Sequence, residues 1–309
     1  MRNALISSLV SLAARDERIM LLTGDLGFTV VEPFSERYPD RFINAGVSEQ
    51  NMVGMATGLA EAGLRPYVYS IATFASLRPY EFIRNGPVVH NLPVNIVGIG
   101  GGVDYGHNGV SHFALEDIAI MRAQPGMTVV APVSRGQVRA AVEATAQLDG
   151  PVYHRIAKGG GIPDSAFDGS FELGRANVVG DGTDVAILAY GAMAAQALQA
   201  MEELEEQGLR ATVVLCPCLN PAPVADLVEV LGRVPLAVTA ETHYVNGGLG
   251  SIVAEVIAEN GLGCRLIRRG FETVPVGRTG ELPYMLSQAG LDAAGIARSA
   301  LQALASTEP

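Results

Sequence analysis

Short apolar runs alternate with segments of helical period along almost the whole chain. "RIMLLTGD", "RFINAG", "RPYVYSIA", "LPVNIVGIG", "MTVVAP" and "GPVYHRI" predict strands. Between them "EPFSERYPD", Ser48 to Gly63, Thr73 to Arg84, "ALEDIAIMRA" and "RGQVRAAVEATAQL" predict helices. Strands that are apolar at every position, rather than at every second one, are buried on both faces. Joined by helices, they predict a parallel sheet with helices on each side. The Gly, Pro, Asp and Ser of "KGGGIPDSAFDGS" interrupt this rhythm and read as an interdomain linker. A second alternating unit follows: strands "DVAILAYG", "RATVVLCPCL" and "PLAVTAET", with helices after the first two and two more closing the chain. The pattern predicts an α/β protein of two parallel-sheet domains, 1–165 and 178–309, separated by a linker at 166–177.

Composition narrows the picture only a little. The 309 residues are 49% hydrophobic and 17% charged, enough for two cores, and the 36 glycines suit tight strand-to-helix turns. A net charge of −11 argues against a nucleic-acid backbone or an anionic membrane as partner. No stretch reaches the roughly 20 apolar residues of a transmembrane helix. The N-terminal segment is an amphipathic helix that soon meets Asp16 and Glu17, unlike a signal peptide. Three cysteines make no disulfide framework, so a cytoplasmic setting is expected.

Several motifs carry less than they promise. "GDG" at Gly180–Gly182 has the start of a magnesium-diphosphate motif but no Asn at the needed spacing, and reads as a turn. Cys216 and Cys218, one residue apart on a strand with no second ligand pair, do not make a zinc site. "GIGGGVDYG" lacks the glycine spacing and the following helix of a dinucleotide loop. Two features remain. The loop "GIGGGVDYGHNGVSHFALED" holds two His, an Asp and an Asn among glycines after a strand, where open α/β sheets bind ligands. Glu49 opens a helix of small residues, "VGMATGLA", just after the Gly46 turn. An acid there is favoured by the helix dipole alone, by roughly 0.3–1 kcal/mol. In close-packed, apolar surroundings it is pushed toward its protonated form and can share a proton with a ring nitrogen of a bound heterocycle.

"INAGVSEQNMVGMATGLAEAGLRPYVYSIATF" resembles the pyrimidine-binding domain of transketolases and 1-deoxyxylulose-5-phosphate synthases. In that family a Glu follows a strand and short turn, and an "STF"-like segment lies some two dozen residues on. "NGVSH", "MTVVAPVS", "GPVYHRIAKG" and, later, "VTAETHYVNGGLGSIVAEVI" continue the likeness in order across nearly the whole chain. The family's diphosphate-binding domain has no counterpart in this sequence. The resemblance therefore implies one half of a split transketolase, working with a separate subunit that carries that domain. It implies thiamine diphosphate as cofactor, with Mg²⁺ held mainly by the partner, an α2β2 assembly, and a sugar substrate.

Residue by residue, Glu49 matches the family's catalytic Glu, which hydrogen-bonds the cofactor's aminopyrimidine. Phe74, Leu77 and Tyr80 match the wall against the pyrimidine, with Leu77 a departure from the usual aromatic. Asp25 matches an acid near the cofactor. His112 matches a His of the substrate channel with a catalytic role, and Asn108 an Asp that reads a sugar hydroxyl. Lys158 stands where the family has an Arg for the substrate phosphate, and Arg2 aligns with another. Gly100 or Gly101 replaces a His or Arg that relatives keep, which opens the substrate question. The implied activity is transfer of a two-carbon ketol unit. A deoxyxylulose-phosphate synthase-like acyl transfer, a 2-oxo acid dehydrogenase beta chain, and a non-catalytic scaffold subunit are the alternatives.

Overall fold

A computed structural model of the chain describes residues 1–306; the last residues assigned to the second domain, 307–309, lie outside the described residues. Among the described residues, twelve strands form two sheets. The first contains β1 (Ile19–Thr23), β2 (Phe42–Asn44), β3 (Arg65–Ile71), β4 (Asn95–Ile99), β5 (Thr128–Val130), β6 (Val152–Ile156) and β10 (Cys218–Asn220), in the order β10-β5-β6-β4-β3-β1-β2. The second contains β7 (Asn177–Val179), β8 (Val185–Ala189), β9 (Ala211–Leu215), β11 (Leu236–Tyr244) and β12 (Arg265–Phe271), in the order β12-β11-β8-β9-β7. All pairs are parallel except β10 on β5 and β7 on β9, antiparallel strands that close one edge of each sheet. The central strands β1, β4, β6, β8 and β9 are buried at every position, as their unbroken apolar runs predict.

Several elements depart from the sequence expectations. "RATVVLCPCL" is two strands, not one: after Leu215 the chain bends at Cys216-Pro217, and β10 crosses to the first sheet. Proline, without an N–H, cannot continue a ladder, so the strand ends there. The helix over Thr73 to Arg84 is broken into Ala72–Ser76 and Tyr80–Ile83 by the Leu77–Pro79 turn. Strands β7 and β12 and the helix Leu282–Ala289 have no counterpart in the pattern reading. Strand β12 lies at a sheet edge with mostly half-buried positions, so its sequence "RLIRRGF" lacks a fully apolar run.

The two sheets are joined by more than a linker. One apolar cluster runs from Val53, Val68, Ile96 and Met127 beneath the first sheet to Leu188, Val214, Leu227 and Ile252 of the second. Beside it lies a buried polar network. Tyr153 Oη donates to Asp117 Oδ2 at 2.7 Å, and Arg155 Nε donates to the same oxygen at 2.8 Å. Arg155 Nη2 donates across the boundary to the Thr242 carbonyl at 2.9 Å. On the far side Glu241 accepts the Leu249 and Gly250 N–H groups at 2.8 and 2.9 Å.

Candidate active site

Parallel strands all end at the same edge of a sheet, so residues just past their carboxyl ends are brought together whatever their spacing in sequence. Asp25 follows β1, Glu49 follows β2, Phe74 follows β3, Asn108 and His112 follow β4, and Lys158 follows β6. Five loops thus deliver almost every residue singled out above to one edge.

Asn44, at the end of β2, stitches the first two loops. Its Nδ2 donates to Asp25 Oδ1 at 2.9 Å, while its Oδ1 accepts the Asp25 and Gly46 N–H groups at 3.1 and 3.0 Å. Asp25 is exposed and held with φ at 56°. Gly46 has φ of 72°, a conformation glycine adopts without steric penalty, and it turns the chain into the helix Glu49–Glu61. Glu49 is the first residue of that helix and only 3% exposed. Gly24 lies opposite, and a Cβ built on it would sit 3.5 Å from Glu49 Oε1. The carboxylate therefore lines a narrow slot bordered by backbone.

Its surroundings are not the apolar ones the sequence suggests. Arg78 Nη1 donates to both Glu49 oxygens, at 3.0 and 2.9 Å, and Ser70 Oγ lies 3.4 Å from Oε1. The Arg78 guanidinium also stacks on the Phe74 ring, its central carbon 3.7 Å from the centroid. No motif in the sequence marks Arg78. The available signal is local: Arg78 precedes Pro79, which disfavours helix at Arg78 and turns its side chain back over Phe74, four residues earlier.

From Phe74 the contacts continue. The His112 ring packs edge-on at 5.0 Å, Tyr105 stands 6.3 Å beyond His112, and Lys158 Nζ lies 4.7 Å over the Tyr105 ring. Burial and the nearby Arg78 charge lower the His112 pKa, so the ring is neutral at neutral pH and able to accept a proton. Tyr105 fills the space beside Gly100: a Cβ on Gly100 would meet its ring, and one on Gly101 would meet Arg155. Gly102, with φ of 68°, lets the loop backbone press against Thr242 of β11, and the Gly102–Ala114 bridge closes the loop at its base.

Lys158 opens onto a cleft of about 350 Å³ lined also by Arg2, Arg135 and Arg139. Among the described residues, none pairs with the guanidinium of Arg2, Arg135 or Arg139. Unpaired cations gathered in one cleft of an acidic chain make a binding place for an anion. Arg135 and Arg139 fall outside every motif, though Arg135 directly follows "MTVVAPVS"; they sit one turn apart on one face of the helix Arg135–Thr145.

Other predicted residues stand at the margin. Leu77 is 40% exposed. The Tyr80 hydroxyl donates to the Ile120 carbonyl at 3.0 Å, which anchors it to the helix Asp117–Arg122. Asn108 is exposed at the tip of the β4 loop. Cys216 and Cys218 are buried, the burial pushing the Cys218 thiol up to about 11, and both are free.

Residues 1–160 match the family model for the transketolase pyrimidine-binding domain, and residues 174–296 that for the transketolase C-terminal domain. The chain belongs to the transketolase family. A putative transketolase C-terminal section of Methanocaldococcus jannaschii is 38% identical over 98% of this chain and 95% of its own length. A 6-deoxy-6-sulfo-D-fructose transketolase subunit of Clostridium sp. (strain MSTE9) is 37% identical over 97% of this chain and 93% of its own. A solved split-gene transketolase, described as an inactive beta4 tetramer, superposes with a TM-score of 0.87 at 37% identity, covering 98% of this chain and 97% of that one. Relatives of matched length are thus sections or subunits of split transketolases. Family membership implies thiamine diphosphate, and the residues present fit its pyrimidine: a buried carboxylate facing a side-chain-free slot at Gly24, next to an aromatic face.

Proposed function

We propose that this chain is the pyrimidine-side subunit of a thiamine-diphosphate-dependent transketolase, moving a two-carbon ketol unit between sugars that carry an anionic end group. The observation that supports it most is the continuous track from Glu49 through Phe74, His112 and Tyr105 to the cleft of Arg2 and Lys158. Bound thiamine diphosphate supplies the carbon nucleophile. Glu49 would hydrogen-bond the aminopyrimidine, with Phe74, Leu77 and Tyr80 as the wall against it and Asp25 near the cofactor. His112 accepts and returns a proton at a substrate hydroxyl, Asn108 reads another hydroxyl, and Lys158 with Arg2 holds the anionic end. Lys158 acts there as a point charge rather than a planar fork. Arg135 and Arg139 widen that end beyond the residues the family pattern supplies.

The diphosphate and Mg²⁺ fall to a partner subunit in an α2β2 assembly. Large apolar side chains stand exposed on four of the five loops that carry the site residues: Phe28, Val47, Leu77 and Val110. Large apolar side chains grouped on one exposed edge are the usual mark of an interaction surface. The domain limits that go with this reading are 1–165 and 178–309.

The test is reconstitution with a partner chain carrying the diphosphate domain. Ketol transfer from a ketose phosphate is expected, with Glu49→Ala lowering it at least about a hundredfold, the scale of positioned proton transfer. Action on pyruvate alone would shift the reading to acyl transfer or a dehydrogenase chain. Full activity of the Ala variant would leave this chain a scaffold. By light scattering and cofactor titration, the chain alone should self-associate, bind thiamine diphosphate feebly and turn nothing over.

A further inference from the structure

The position of Arg78 is not called for by any role given to the site. Glu49 is buried, and apart from the 3.4 Å contact with Ser70 its carboxylate has the Arg78 guanidinium as its side-chain partner. That guanidinium is flat, cationic and rich in N–H donors. It lies on the Phe74 ring and points a nitrogen at the carboxylate. An aminopyrimidine would offer the same features: a planar face for Phe74 and a nitrogen edge for Glu49. Two planar groups cannot share one face of the ring at 3.7 Å.

We propose that Arg78 is a built-in stand-in for the aminopyrimidine: in the cofactor-free chain its guanidinium fills the pyrimidine site on Phe74 and neutralises Glu49, and it swings out when the cofactor enters. This rests on the reading of Glu49 as the pyrimidine's partner. The arrangement suits a displaceable group. Arg78 sits in the Leu77–Pro79 turn rather than in a helix, so moving it breaks no helical ladder. Its side chain is 43% exposed, which leaves a way out to solvent, and among the described residues no acceptor other than Glu49 holds it. A buried carboxylate left without a partner would be strongly unfavourable, so the stand-in keeps the charge paired until the cofactor takes over. It also sets a toll on binding, since only the fraction of molecules with Arg78 swung out can accept the ligand.

The experiment measures, by ligand-observed NMR, how tightly the free aminopyrimidine half of thiamine binds the wild-type chain, Arg78→Met and Glu49→Gln. Arg78→Met keeps an apolar stem but no guanidinium, and is expected to bind about tenfold more tightly than wild type. Millimolar guanidinium ion at matched ionic strength should compete with the aminopyrimidine in Arg78→Met and leave wild-type binding unchanged. Equal or weaker binding by Arg78→Met overturns the stand-in while the pyrimidine site survives. No binding by any variant, or binding indifferent to Glu49→Gln, overturns both. Should Arg78→Met fail to fold, Arg78→Lys decides: it keeps the charge and loses the planar group, a gain in affinity is again expected, and its absence overturns the proposal.

Discussion

Glu49 and His112 owe their properties to a residue that neither touches in sequence. The Arg78 charge pairs with Glu49 and, after burial, is the second cause that lowers the His112 pKa. A cation beside an imidazole disfavours the protonated ring, so removing it must raise the pKa. In Arg78→Met the His112 ring should therefore titrate at higher pH than in wild type, closer to the ordinary value of about 6.5. Following the imidazole signal by NMR across pH checks this. A His112 titration that does not move would show that Arg78 does not sit over Phe74 in solution. Glu49 was legible in the sequence as a carboxylate with an unusual setting, because the Gly46 turn and the small-residue helix lie beside it in the chain. Its partner was not, because that contact spans 29 residues and depends on how β3 ends.

At the level of elements, the strands that build the site were readable because burial on both faces leaves an unbroken apolar run. One polar side chain within them is His154 in β6, fully buried with its ring 6.1 Å from that of Tyr67. Its Nε2–H donates to Asn95 Oδ1 at 3.1 Å, since an amide oxygen can only accept, and its Nδ1 has no partner. Burial lowers its pKa to about 3. The unfolded chain takes up a proton near pH 6.5 and the folded one resists until about 3, so the unfolded state binds more protons in between. Stability from this group is therefore complete above pH 6.5 and lost as pH falls toward 3, at up to about 1.4 kcal/mol per pH unit. Urea denaturation at several pH values should show that slope in wild type and a shallower one in His154→Phe. Identical slopes would assign the acid sensitivity elsewhere. The helix over residues 73 to 84 shows the converse: its periodicity runs on, but Pro79 removes a donor and breaks it, and the break is what aims Arg78.

Over the whole molecule, the network of Asp117, Tyr153, Arg155 and Thr242 ties the first domain to the second. Arg155 is 5% and Asp117 0% exposed, so each charge depends on the other for compensation. Arg155→Met leaves Asp117 buried and unpaired, and should destabilise the chain by about 3–5 kcal/mol in urea denaturation. Adding Asp117→Leu removes the stranded charge and should restore much of that loss. If the double variant is as unstable as the single, the packing of the Arg155 stem rather than its charge holds the boundary.

Local patterning determined the number and kind of most strands and helices, the division into two units and the family's motifs, because these depend on neighbours within a few residues. The tertiary structure decided what those motifs face. Sheet topology placed five separated loops at one edge, strand β10 returned to the first sheet, and Arg78, Arg135 and Arg139 joined a site to which no motif assigns them. Such groupings follow from the order in which strands pair and the direction in which turns aim side chains, and periodicity along a chain carries neither.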